Sequence, residues 1–118
     1  MIEQINVGVI GTGWCGGIRT KACSDNPLVD RLFIAEINDA RRAEVAEQYD
    51  VHEAVSDWQK LILNPDIDTI IISATPETTH YPMALAALQA GKNVFMEKPI
   101  ATGYFQVIAD PVSTCVQE

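Results

Sequence analysis

The chain has 118 residues, of which 47% are hydrophobic and 20% charged, and this composition indicates one globular domain with its own core rather than a disordered segment. The formal net charge of −8 argues against a nucleic acid or an anionic membrane as partner, because both favour a basic face. A secretory leader is not expected, because Met1–Gln4 lacks a basic region and leads directly into a strand-like segment. No apolar run approaches the roughly 20 residues of a membrane span. The three cysteines show no C-x-x-C spacing, so neither a metal site nor a disulfide framework is predicted and a reducing cytoplasm is the expected location.

Four runs of apolar residues are the predicted strands. Residues that are apolar at successive positions suit strands buried on both faces of a sheet, which is typical of a parallel sheet covered by helices. The runs are Ile5–Ile10, Leu28–Ala35, Thr69–Ser73 and Asn93–Met96.

Helix-forming sequence separates these strands. Asp39–Tyr49 is rich in Ala, Arg and Glu, which are good helix formers. Ser56–Gln59 has the S-x-x-Q form of a capping box and predicts a short helix that ends at Asn64–Pro65. Apolar residues recur at helical spacing within Thr79–Gln89, and Gly91 marks the stop. The order β-α-β-α-(short β)-α-β-α-β predicts an α/β fold with a parallel sheet and right-handed crossovers.

A glycine-rich loop follows the first strand and opens the first helix. Gly11, Gly13 and Gly16 form G-x-G-x-x-G, a pattern that is weak alone but meaningful between a strand and a helix. Gly11 permits the tight turn, Gly13 lets a pyrophosphate approach the backbone, and Gly16 lets the helix pack against the strand. The start of the helix offers N–H groups and a positive dipole end to the phosphates.

The variable positions of this loop are Thr12, Trp14 and Cys15, and all three count among the candidate cofactor-binding residues. We expect the Trp14 side chain to pack and Cys15 to act as a small filler. A helix N-terminus lowers the pKa of a thiol, but no base or second cysteine accompanies Cys15, so a catalytic thiol is not predicted.

Glu36 lies at the end of the second strand, 20 residues after Gly16. A carboxylate at this position accepts hydrogen bonds from the adenosine ribose and repels a 2′-phosphate, so NAD is favoured over NADP. Arg41 and Arg42 keep NADP open as an alternative, because a nearby basic side chain can accommodate the phosphate. A glycine turn followed by an unrelated surface glutamate is the simpler alternative.

Two further motifs follow predicted strands at their carboxyl ends, where open α/β sheets bind ligands. Thr75-Pro76, with His80 four residues later, follows the third long strand, and Glu97-Lys98-Pro99 follows the fourth, which begins in Ala90–Val94. Together with the glycine loop, these motifs resemble the glucose-fructose oxidoreductase/inositol dehydrogenase family (Gfo/Idh/MocA) over residues 5 to about 102.

This resemblance implies the doubly wound, NAD(P)-binding Rossmann domain of an oxidoreductase that transfers hydride between a nicotinamide cofactor and a sugar, cyclitol or related polyol. It also implies that Thr75 and Pro76 line the cofactor pocket, that Glu97 lies beside the nicotinamide ribose, and that Lys98 points into the active site as the catalytic residue. A cation near the reacting carbon stabilises alkoxide character as hydride leaves. His80 has two alternatives: it lies near the nicotinamide, or it is a first-turn helix residue whose ring hydrogen-bonds locally.

The sequence also departs from the family pattern. Arg19 stands where the family often has a histidine. We expect residues 1–102 to form the dinucleotide-binding domain and 103–118 a tail, with the family's C-terminal substrate domain absent. Hydride transfer needs a substrate that is held and shielded from water, so we expect this chain to bind NAD(H) but to turn over little or nothing.

Two alternatives to a domain of an enzyme remain at this point. One is a stand-alone module that binds or senses the dinucleotide without catalysis, and the other is a structural or oligomerisation unit, against which the intact glycine loop argues. A sheet edge or apolar patch that lacks its usual cover also promotes self-association, so a homo-oligomer is expected.

Overall fold

A computed structural model describes residues 4–74 and 79–96 of the chain. The predictions made for Thr75, Pro76, Glu97, Lys98 and the tail 103–118 therefore lie outside the described residues, as do the side chains of Trp14 and Cys15.

The described part is a five-stranded parallel sheet with helices on both faces, as the sequence predicts. The strands are β1 (Ile5–Ile10), β2 (Val29–Ala35), β3 (Glu53–Val55), β4 (Thr69–Ile72) and β5 (Asn93–Met96). The helices are α1 (Trp14–Asp25), α2 (Asp39–Gln48), α3 (Trp58–Leu63) and α4 (His80–Gln89). The predicted bounds of the four long strands and of helices α2 and α4 agree with the observed bounds to within one residue.

The strands are ordered β3-β2-β1-β4-β5, and every pair is parallel. The chain therefore winds outward from β1 through β2 to β3 and then returns to the other side of β1. This arrangement is the doubly wound Rossmann topology, whose strand order reverses between β1 and β4. None of the helices described is long and apolar enough to cross a membrane. The cytoplasmic location stays a prediction.

Each face of the sheet packs one hydrophobic cluster. On one face, Val7, Val9 and Ile34 pack with Val45 of α2. On the other, strand residues such as Ile70 and Ile72 pack with the buried side chains of α3 and α4, which are Leu61, Ile62, Met83, Ala84 and Ala87. Because both faces are covered, the strands read as continuous apolar runs rather than as alternating patterns.

The start of α3 corrects one prediction. The predicted capping box needs Ser56 as the N-cap, but the N-cap is Asp57, whose carboxylate accepts a hydrogen bond from the Gln59 backbone N–H at 2.9 Å. Asp and Ser are both good N-caps, so two adjacent cap residues leave the first helical residue ambiguous in the sequence. The predicted end at Asn64 is confirmed.

The stop predicted at Gly91 is also confirmed. Gly91 has a φ of +78°, and the backbone N–H groups of Gly91 and Lys92 donate to the carbonyls of Leu88 and Ala87. These two bonds form a Schellman motif, which ends the helix and satisfies its last carbonyls. The chain is thereby turned into β5.

Candidate functional site

The candidate site lies where the strand order reverses, at the carboxyl ends of β1 and β4. The glycine loop leaves β1 at Gly11, and Ser73-Ala74 leaves β4 beside it. The Ser73 N–H donates to the Ile10 carbonyl at 2.8 Å, and the Gly11 N–H donates to the Ala35 carbonyl at 2.8 Å. These bonds hold the three strand ends together, and the crevice outside such a reversal point is where open α/β sheets bind ligands.

Gly11 and Gly16 are glycines because neighbouring backbone leaves no room for a side chain. Gly11 has a φ of +85°, and a Cβ there would lie 2.6 Å from the Ala74 Cα. A Cβ on Gly16 would lie 1.7 Å from the Gly11 carbonyl oxygen. The first makes the tight turn and the second brings α1 against the end of β1, which are the structural roles expected for them.

Gly13 differs from both, because a Cβ placed on it would have no atom within 4 Å among the described residues. It is the N-cap of α1 and provides no side-chain hydrogen bond to the helix, whose first turn also contains no acidic residue. Asn38 caps α2 and Asp57 caps α3 with side-chain oxygens, whereas Thr79, the N-cap of α4, makes no side-chain cap hydrogen bond to its helix either. Among the described residues, no side chain caps or fills the positive end of α1 at Gly13, as a bound phosphate requires.

Glu36 follows β2 and faces the glycine loop. One carboxylate oxygen, Oε1, accepts from the Thr12 backbone N–H at 2.9 Å and from the Thr12 hydroxyl at 2.7 Å, and Oε2 accepts from the Asn38 N–H at 3.1 Å. Burial alone raises the pKa of Glu36, but these hydrogen bonds and the positive charge of Arg41 outweigh it and hold the pKa below its ordinary value. Glu36 is therefore an anion at neutral pH.

The two arginines after Glu36 both bind protein atoms. Arg41 donates from Nε to the Thr12 carbonyl at 2.8 Å and pairs with Glu44. Arg42 donates from Nη1 to the Glu36 carbonyl at 2.9 Å and from Nη2 to Asp39 at 2.7 Å. The sequence singles out these residues only as possible partners of a 2′-phosphate, and it does not indicate that Arg41 reaches the glycine loop.

On the β4 side of the crevice, His80 begins α4 and is 2% exposed. Its Nε2 lies 2.9 Å from the Ala74 carbonyl oxygen. This local hydrogen bond agrees with the alternative that His80 is a first-turn helix residue. A position near the nicotinamide stays a prediction. Ser73 Oγ is buried without a hydrogen-bond partner in the part of the chain that the structure describes.

The described residues fit a dinucleotide. They combine an open, uncapped helix start, a glycine with room for a phosphate, a carboxylate at the end of the neighbouring strand and an orphaned hydroxyl at the reversal point. Sequence reasoning missed the buried hydroxyl of Ser73 and the glycine at position 17. The only signal for Gly17 was a fourth glycine directly after G-x-G-x-x-G.

Comparison with known proteins agrees with this geometry. Residues 5–115 match the oxidoreductase family GFO_IDH_MocA, NAD-binding Rossmann fold. The match extends beyond Thr102, where the motif resemblance in the sequence ends.

Three relatives illustrate the family. Levoglucosan dehydrogenase of Pseudarthrobacter phenanthrenivorans is 37% identical over 108 residues, which cover 85% of this chain and 27% of that protein. A solved structure of levoglucosan dehydrogenase in complex with NADH is 35% identical, with a TM-score of 0.80, and covers 89% of this chain and 30% of that one. The scyllo-inositol 2-dehydrogenase (NADP(+)) of Bacillus subtilis is 32% identical over 99 residues, 84% of this chain and 27% of that protein.

After levoglucosan dehydrogenase and the inositol dehydrogenase, the third relative is biliverdin reductase from Synechocystis sp. PCC 6803, solved in complex with biliverdin and NADP+. It is 34% identical, has a TM-score of 0.80, and covers 87% of this chain and 32% of that one. The chain thus spans about a third or less of the length of these relatives. From the extent of the family match and the identities with these dehydrogenases, the chain belongs to the Gfo/Idh/MocA oxidoreductase family and forms its NAD-binding Rossmann fold.

Proposed function

We propose that this chain binds a nicotinamide dinucleotide, with NAD preferred over NADP, as the nucleotide-binding part of an oxidoreductase. The observation that carries the proposal is the uncapped start of α1, where no described atom fills the Cβ space of Gly13, beside the ionised Glu36, which accepts two hydrogen bonds from the preceding Thr12. The pyrophosphate lies on the helix start, and the adenosine ribose lies at Glu36.

The preference for NAD follows from the charge of Glu36 and from its remaining acceptor capacity. A carboxylate offers about four acceptor positions, and the protein uses two on Oε1 and one on Oε2. One position on Oε2 is left for a ribose hydroxyl. A 2′-phosphate carries about −1.5 to −2 charge at neutral pH and is repelled by the same carboxylate.

We further propose that the reaction transfers hydride between the cofactor and a hydroxyl carbon of a sugar, cyclitol or related polyol. The bound nicotinamide supplies or accepts the hydride. Lys98 acts as the catalytic residue by stabilising negative charge on the substrate oxygen, while Thr75, Pro76, His80 and Glu97 contact the cofactor. The levoglucosan and inositol dehydrogenases support this substrate class, whereas biliverdin reductase has another substrate on the same fold.

The alternative of a stand-alone sensing module finds no support among these relatives, which are all dehydrogenases or reductases. It predicts dinucleotide binding without any hydride transfer. Binding and turnover therefore need separate experiments.

Binding is tested by titrating NADH and NADPH fluorescence with the purified chain. Wild type should bind NADH more tightly than NADPH. Gly13→Val should abolish binding of both cofactors, because its side chain occupies the phosphate space, yet it should stay folded because no described atom lies within 4 Å of a Cβ there. Glu36→Ala should weaken NADH binding by about 10- to 100-fold and narrow the difference from NADPH.

Gly91→Ala is the matched control for the glycine change, since Gly91 lies between α4 and β5, outside the loop at α1. It should bind NADH as wild type does. If Gly13→Val binds NADH normally while folded, the pyrophosphate does not lie at the start of α1 and the proposal is wrong.

Turnover is tested in the polypeptide that the encoding reading frame specifies, with NAD+ and levoglucosan or an inositol as candidate substrates. Lys98→Met should lower kcat by about 10²- to 10³-fold, the cost of removing one charge-stabilising group, with little change in the affinity for NADH. Full activity of Lys98→Met would remove Lys98 from the mechanism. The same assay on the 118-residue chain tests the expectation that it turns over little.

A further inference from the structure

Thr12 is a buried and fully hydrogen-bonded residue of the glycine loop. It is 0% exposed, and all three of its polar atoms have partners. Its backbone N–H and its hydroxyl donate to Glu36 Oε1, and its carbonyl accepts from Arg41 Nε at 2.8 Å. Because the peptide bond is planar, fixing the Thr12 carbonyl also fixes the direction of the Gly13 N–H at the phosphate site.

The Arg41 guanidinium reaches Thr12 across α1, at the position of Gly17. A Cβ placed on Gly17 would lie 2.9 Å from Arg41 Nη2 and 3.5 Å from the Thr12 carbonyl oxygen. The first distance is too short for a real contact, and the second is an ordinary one. Gly17 therefore leaves the space in which the guanidinium sits.

We infer that Arg41 and Gly17 form a clasp that orients the Thr12–Gly13 peptide for the phosphates, so that Arg41 is a positioning residue rather than a ligand of the cofactor's 2′-phosphate. This inference rests on the proposed dinucleotide binding. It differs from the expectation that a basic residue after Glu36 serves NADP. The guanidinium is held by Thr12 and Glu44, and its remaining nitrogen packs against Gly17.

The clasp makes a prediction that separates stability from affinity. An alanine at position 17 clashes only with the end of a flexible side chain, so Arg41 moves away and the backbone stays in place. Alanine also has a higher helix propensity than glycine. The melting temperature of Gly17→Ala should therefore equal that of wild type or exceed it by up to about 5 °C. Affinity for NADH and NADPH should both fall by about three- to ten-fold, the net contribution of about one ordinary hydrogen bond.

The experiment compares wild type, Gly17→Ala, Arg41→Met and the double variant. The two single variants should show similar losses of affinity, and the double variant should show no further loss, because both changes remove the same contact. Arg31→Met is the matched charge control. It removes one positive charge, as Arg41→Met does. Arg31 lies near the start of β2 and pairs with Asn6 of β1, at the opposite end of the sheet from the site.

Hydrogen exchange of the Thr12 amide without cofactor gives a readout independent of binding. This amide belongs to the preceding peptide and donates to Glu36, so it exchanges faster when release of the Thr12 carbonyl from Arg41 lets the whole residue move. Gly17→Ala and Arg41→Met should both speed its exchange, while the amides of β1 stay protected. Failure of wild type to bind either cofactor would refute the proposed function but not the clasp. The clasp would be refuted by unchanged exchange of the Thr12 amide in the variants.

Besides unchanged exchange at Thr12 and a loss of affinity in the charge control, four results would overturn this inference. They are a lower melting temperature for Gly17→Ala, unchanged NADH affinity in the single variants, additive losses in the double variant, and a loss confined to NADPH in Arg41→Met. The last result would make Arg41 a direct phosphate ligand. A loss of similar size in Arg31→Met would assign the effect to net charge instead.

Discussion

Gly16→Ala tests the packing on which the site depends. The new Cβ would lie 1.7 Å from the Gly11 carbonyl oxygen and 2.7 Å from its carbonyl carbon, against an ordinary contact of about 3.5 Å. Gly11 cannot move away, because it lies against the backbone of Ala74. The strain is therefore relieved only by separating α1 from the end of β1.

The cost follows from this geometry. Overpacking against rigid backbone destabilises by 1–3 kcal/mol or more, so we expect about 3 kcal/mol here. The helix preference of alanine over glycine returns only about 0.5–1 kcal/mol. For a domain of this size about 1 kcal/mol shifts Tm by 4–8 °C, so the net loss of about 2–2.5 kcal/mol corresponds to a fall of about 8–20 °C.

Thermal and urea denaturation of the purified chain measure this effect. Gly13→Ala is the matched control, since a Cβ on Gly13 would have no described atom within 4 Å. Its free energy of unfolding should stay within about 0.5 kcal/mol of wild type. A melting temperature for Gly16→Ala within about 2 °C of wild type would refute the close approach of α1 to β1.

Three further predictions concern groups around the site. The pKa of Glu36 is held below its ordinary value, so the ionised carboxylate stabilises the fold above the unfolded pKa of about 4.3, and this is lost as pH falls through the lower folded value. Urea titrations should therefore show the stability difference between wild type and Glu36→Gln narrowing from pH 7 to about pH 3, and a constant difference would contradict this. His80→Ala should cost about 2–3 kcal/mol by chemical denaturation, because it removes a buried hydrogen bond to Ala74 and leaves a cavity; a loss no larger than that of the exposed His52→Ala would contradict it. Gly91→Ala should cost about 1–2 kcal/mol, because its φ is +78°, and Gly91→Asn should cost less; equal losses in a thermal melt would count against this explanation.

The sequence by itself determined the order of the elements and the position of the glycine loop. Apolar runs such as Ile5–Ile10 reveal strands covered on both faces, because hydrophobic burial follows short-range periodicity. Gly11 and Gly16 could be assigned to a tight turn and a close approach, since only glycine tolerates either. Glu36 could be placed at a strand end by counting residues alone.

Only the tertiary structure decided which atoms these residues contact. Thr12 and Glu36 are 24 residues apart, and Thr12 and Arg41 are 29 apart, so no local pattern records their hydrogen bonds. Likewise, Lys92 donates to the carbonyls of Asn64 and Ile67 across the fold rather than within its own segment. The reason is physical: periodicity reports which side of an element is buried, whereas a long polar side chain selects its partner from whatever the packed chain brings within its reach.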